Sequence, residues 1–105
     1  MTDRELLELA AKAAEIEVTA VVADGIPNRF GGGYWNPLTD DGDALRLTVK
    51  LGLLVRVNLD DLFVRVICEE SLTAPVHSEA LGADPYAATR RAIVRAAAEI
   101  GTNMK

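Results

Sequence analysis

One cysteine, Cys68, and one histidine, His77, are all this chain offers a soft metal. An internal disulfide and a Cys/His zinc cage are therefore both excluded. Aromatic residues are scarce too, with two tyrosines, two phenylalanines and one tryptophan among 105 residues. No apolar run approaches the roughly 18 residues that cross a bilayer. The opening Thr2-Asp3-Arg4-Glu5 carries no basic-then-apolar secretion signal, so export is not expected. Basic residues are outnumbered 11 to 16, and the net charge of −5 disfavours broad binding to a phosphate backbone. With no convincing helix-turn-helix spacing either, a nucleic-acid-binding regulator is the weakest of the function classes. Gly31-Gly32-Gly33 is followed by Tyr34-Trp35 where a Walker loop needs Lys and then Ser or Thr, and the Gly-x-Gly-x-x-Gly spacing is absent. Nothing in the sequence points to a cofactor.

What is present fits one domain, residues 1–105. Thr2 and Glu5 have capping-box spacing, and Leu6, Leu9, Ala10, Ala13, Ala14 and Ile16 follow as one face of a first helix. Val18 to Val22 is short and β-branched, which predicts a strand. From Gly25 to Thr39 the prolines and glycines forbid a long helix and predict a loop or a short irregular hairpin ending near Trp35. Thr39 or Asp40 opens a second helix, with Ala44, Leu47, Thr48 and Leu51 on its inner face and Gly52 as its stop. Leu53 to Asn58 and Leu62 to Cys68 form a hairpin. Its register sets Leu53 against Cys68, Val55 against Val66 and Val57 against Val64 on one apolar face. The other face pairs Leu54 with Ile67, Arg56 with Arg65 and Asn58 with Phe63. Leu72 to His77 predicts an edge strand because of Pro75. Asp84-Pro85 opens the last helix, Gly101 closes it, and Tyr86, Ile93, Ala97 and Ile100 are its expected buried stripe. Three helices and a small, mostly antiparallel sheet make an α+β layered domain, and apolar residues on both hairpin faces favour helices on both sides of it.

Few residues carry chemistry. Asp40, Asp41 and Asp43 fail the calcium-loop pattern, because Pro37 and Thr48 fall where acids are required, and helix capping accounts for them. Cys68 on the apolar face and His77 without an acidic orienter make a poor nucleophile and base. Arg56 directly across from Arg65 is less ordinary, since like charges there destabilise a strand pair. Either the heads reach water or acids such as Glu15 or Glu69, or the two guanidinium forks hold an anion. Arg90, Arg91 and Arg95 form a second basic cluster, with Arg91, Arg95 and Glu99 as a solvated face in the plainer reading. Trp35, with Tyr34 and Phe30, either closes the small core or forms a contact site.

Two long stretches carry a resemblance. Trp35-Asn36-Pro37-Leu38-Thr39-Asp40-Asp41-Gly42-Asp43-Ala44-Leu45-Arg46-Leu47, and the segment from Asp84-Pro85-Tyr86 through Arg95-Ala96-Ala97, resemble the phage αβα-sandwich domain family of small phage and prophage proteins. The resemblance implies a three-layer α/β/α sandwich, a phage or prophage origin and action in the host cytoplasm. It implies no activity and no catalytic residues. The expected function is then a non-enzymatic accessory protein that binds a host protein or a small anionic ligand, as a counter-defence protein would. Trp35, Arg56, Arg65, Arg90 and Arg91 are the candidate contacts, and ligand capture requires the four arginines to converge. The competing expectation is a small metal-dependent enzyme on a phosphorylated or nucleotide substrate, with the aspartates as ligands. An edge strand also allows a homodimer.

Overall fold

A computed structural model describes residues 1–18, 20–27, 33–68 and 76–104. The first helix, α1 (Asp3–Ala13), starts where the capping spacing places it. The Thr2 hydroxyl oxygen accepts from the Glu5 amide at 3.1 Å and donates to Glu5 Oε1 at 3.1 Å. The segment after it departs from the expected strand. Val18 and Val22 are exposed, and residues 20–25 make only a tight turn in which Val22 and Gly25 bond each other's backbone. β-branched residues alone do not make a strand without a neighbour to pair with. Thr19 lies outside the described residues. The expected irregular hairpin is present as β1 (Ile26–Pro27) and β2 (Tyr34–Trp35), with Ile26 opposite Trp35.

Helix α2 (Asp41–Leu51) is capped by Asp40, whose Oδ2 accepts from the Asp43 amide at 2.8 Å, and it ends at Gly52 with φ +63°. The three-stranded sheet follows. Its members are β3 (Leu53–Asn58), β4 (Phe63–Cys68) and β5 (His77–Ala80), antiparallel in the order β3-β4-β5. All six β3–β4 pairs fall in the register read from the sequence, from Leu53 opposite Cys68 to Asn58 opposite Phe63. β5 opens at His77; the earlier part of the expected edge strand, Leu72 to Pro75, lies outside the described residues. Helix α3 (Pro85–Asn103) runs past Gly101 rather than stopping there.

Val64 and Val66 are fully buried on the face formed with Val55, Val57, His77 and Glu79, and α3 lies across that face. α1 packs against α3 on its far side, and α2 packs against α3 and the start of the sheet. The α+β class, three helices and small antiparallel sheets are those the sequence indicates. The cover over the sheet differs: among the described residues the face bearing Leu54, Arg56, Arg65, Ser78 and Ala80 is open to solvent and carries no helix. Apolar content at Leu54 and Ile67 is too sparse, with two arginines between them, to hold a helical layer. Gly101 serves close packing instead of termination. A Cβ there would overlap the Leu9 carbonyl oxygen, with Leu9 C at 2.8 Å. Among the described residues no helix is long and apolar enough to cross a membrane.

Candidate functional site

The arginines named from the sequence do not converge. Arg56 and Arg65 face each other across β3 and β4 on the open side of the sheet, and Arg90 and Arg91 sit on α3 on the opposite side. Arg90 is a structural clamp: its Nε donates to the Leu38 carbonyl at 2.9 Å and its Nη1 to Asp41 Oδ1 at 2.6 Å. Arg91 donates to Asp3 Oδ1 at 3.0 Å, tying α3 to the start of α1. A pocket in which four guanidinium groups enclose one small anion is therefore not formed. Trp35 is buried in the core cluster with Ile26 and Leu47, which makes it a core residue and not a contact residue. Tyr34 is exposed beside it, and Phe30 lies outside the described residues.

The aspartates are committed to the fold. Asp43 is buried; its Oδ2 accepts from the Asn36 amide at 2.9 Å and its Oδ1 from Arg46 Nη2 at 2.8 Å. Asp40 caps α2 and Asp41 holds Arg90, so the three carboxylates point to three different tasks. Among the described residues no group of three His, Cys, Asp or Glu side chains is arranged to hold a metal ion. Cys68 is half-buried opposite Leu53, while His77 stands opposite Val66, two positions along β4, and the two share no hydrogen bond.

Among the described residues the Arg56–Arg65 pair remains without an acidic partner. No carboxylate among the described residues, Glu15 included, forms an ion pair with either; Glu69 lies outside them. Arg65 lays its guanidinium over the Phe63 ring, 4.8 Å from the centroid, which offsets part of the like-charge repulsion. Two exposed guanidinium groups on neighbouring strands suit carboxylates presented from outside.

On the helix side of the sheet the sequence reading missed a second cluster. Arg91, Arg95 and Glu99, expected as a solvated face, line a cavity of about 400 Å³ with His77, Glu79, Leu6 and Thr102, and Arg95 reaches across to β5. Arg95 Nη1 donates to Glu79 Oε1 at 2.6 Å. His77 Nε2 is buried without a hydrogen-bond partner. Burial, and then the Arg95 cation, push the His77 pKa below its ordinary 6.5, while Glu99 and Glu79 pull it the other way. As pH falls below 6.5 the unfolded chain takes up the proton before the folded one does. Stability contributed by neutral His77 is thus complete above that value and is lost as pH falls through the lowered one. In urea unfolding between pH 7.5 and 5.5, with pH values of this order set by the histidine range, the natural chain should lose midpoint faster than His77→Gln. Parallel pH profiles for the two would contradict this.

Alternation of side chains across β5 was the available signal for the cluster, since it sets His77 and Glu79 on the face of Val64 and Val66. No protein-family model, curated protein or solved structure matches this chain.

Proposed function

We propose that this chain is a non-enzymatic phage or prophage accessory protein that acts in the host cytoplasm by binding a host protein through an acidic patch. The observation that carries the reading is the open sheet face, where Arg56 and Arg65 stand across from each other with no carboxylate partner among the described residues, in a protein of net charge −5. Both side chains are exposed on that face. Desolvating them is favourable only against carboxylates that reach both forks. The phage setting comes from the resemblance of residues 35–47 and 84–97 to the αβα-sandwich family. A counter-defence role, in which the bound host protein is a defence component masked by this face, is the form of the proposal that fits that setting.

The test is paired capture from host lysate with the natural chain and with Arg56→Glu/Arg65→Glu as baits, followed by mass spectrometry. The side chains are exposed, so the double variant keeps the fold, which circular dichroism checks. A host protein should be enriched on the natural bait by tenfold or more over the variant, roughly the effect of removing central arginine contacts, and the enrichment should fall with added salt. Equal recovery on both baits would remove the open face from the function.

A further inference from the structure

The cavity bounded by β5, α3 and the start of α1 brings charges of both signs together. Arg91, Arg95 and Glu99 follow one another at four-residue steps on one face of α3, and all three line it, with Glu79 of β5. Its volume of about 400 Å³ falls within the ~300–1,000 Å³ of small-molecule sites. The fold engages each guanidinium through one terminal nitrogen. Arg91 Nη2 donates to Asp3, and Arg95 Nη1 donates to Glu79 and, at 3.5 Å, to the Ser78 carbonyl. Among the described residues the other N–H groups of both make no hydrogen bond, and the Glu99 carboxylate forms no ion pair. His77, which also lines the cavity, has its Nε2 buried with no partner among the described residues, whereas buried polar atoms are nearly always bonded. Leu6 and Ala98 supply an apolar part of the wall.

We propose that this cavity binds a free α-amino acid with an apolar side chain, its carboxylate on the unused N–H groups of Arg91 and Arg95 and its ammonium on Glu99. Charge selects this class of ligand. The charged side chains of the lining are two cations and two anions. A plain anion would enter beside Glu79 and Glu99, and a plain cation beside Arg91 and Arg95, and like-charge juxtaposition of either kind is costly. A zwitterion meets both signs at once. Planar guanidinium forks match the two oxygens of a carboxylate, and Glu99, with no cation of the fold to hold, is the acceptor for an ammonium. Leu6 and Ala98 then receive the apolar side chain. The cavity lies on the helix side of the sheet, away from Arg56 and Arg65, so binding there does not depend on what the open face captures.

Titration of the natural chain with L-leucine, N-acetyl-L-leucine and L-leucinamide, followed by amide NMR, tests this. L-leucine should shift the amides of β5 and of α3 from Arg91 onward, with a Kd of roughly 1 mM or below. N-acetyl-L-leucine lacks the ammonium and L-leucinamide lacks the carboxylate. Each should bind roughly tenfold more weakly or worse, the effect of losing one charge-assisted contact. Glu99→Gln should weaken L-leucine by a similar factor while leaving circular dichroism unchanged. Arg91→Lys, which keeps a cation beside Asp3 but loses the fork, should weaken it too. No shift at about 10 mM L-leucine, ten times that Kd, overturns the proposal. Equal or tighter binding of either blocked compound, shifts confined to other parts of the molecule, or full affinity in Glu99→Gln overturns it as well. Arg56→Glu/Arg65→Glu should bind L-leucine as the natural chain does even where it loses host-protein capture, so the two proposals fail separately.

Discussion

Gly101→Ala is expected to remove a large part of the folding free energy of this chain. Helix α3 crosses α1 so closely at this point that a methyl group would overlap the Leu9 carbonyl oxygen and sit 3.2 Å from Leu9 Cα. Both obstacles are backbone, and a helix cannot retract one carbonyl without shifting as a unit. The two helices would have to move apart along the contact that buries Leu6, Leu7 and Ala10 against Ala97 and Ala98. Overpacking of this kind costs about 1–3 kcal/mol and occasionally more, and the rigid neighbour places Gly101→Ala at the upper end. For a domain of this size each 1 kcal/mol is worth roughly 4–8 °C in Tm, so thermal unfolding should drop by well over ten degrees. Gly52→Ala supplies the contrast. Its φ of +63° disfavours alanine, but nothing lies within 4 Å of the added carbon, and the cost should stay near 1 kcal/mol. Similar losses from the two substitutions would show that the helix crossing is looser than described.

Asp43→Ala is the second large effect. The carboxylate is buried and bridges the chain before α2 to the helix itself, accepting from the Asn36 amide and from Arg46. Removing it strands the buried Asn36 N–H, while Arg46 is exposed and keeps Asp40 nearby; a charge-assisted bond to a buried amide contributes about 1.5–3 kcal/mol, with further loss for the unsatisfied donor. A net loss of about 3 kcal/mol is expected on that basis, read as a lower urea midpoint at unchanged slope. Magnesium or manganese should leave the midpoint of the natural chain where it is, because the carboxylate is already held by protein groups. A metal-dependent rise in that midpoint would revive the aspartates as ligands.

The readable parts of this fold are those in which neighbouring residues decide the outcome. In the β3–β4 hairpin a one-residue slip sets Val55 against Arg65 and breaks the apolar face, so the alternation, with Asp60-Asp61 as the turn centre, led to the observed register. The caps at Thr2, Asp40 and Asp84 were readable because a side-chain oxygen three residues ahead of an amide is a local geometry. Residues whose role depends on distant elements were not. Tyr86 was expected in the α3 stripe, but the helix begins before it reaches the sheet, and the ring is 71% exposed. Gly101 looked like a terminator because sequence shows a missing side chain without showing the carbonyl of Leu9 that requires it. Of the candidate contacts, the Arg56–Arg65 pair followed from the hairpin register. The engagement of Arg90 by Leu38 and Asp41, 52 and 49 positions away, could not be read from spacing.

The pairing of α1 with α3 also bears on how the chain is made. Lys12 Nζ reaches the Met104 carbonyl oxygen at 3.0 Å across 92 positions, so the first helix finds its seat only when the last has been synthesised. Until residues 85–103 leave the ribosome, Leu6, Leu7 and Ala10 have nowhere to dock, and the nascent chain carries that greasy strip uncovered. Translational pausing ahead of residue 85 would prolong the interval in which chaperones or proteases can seize it.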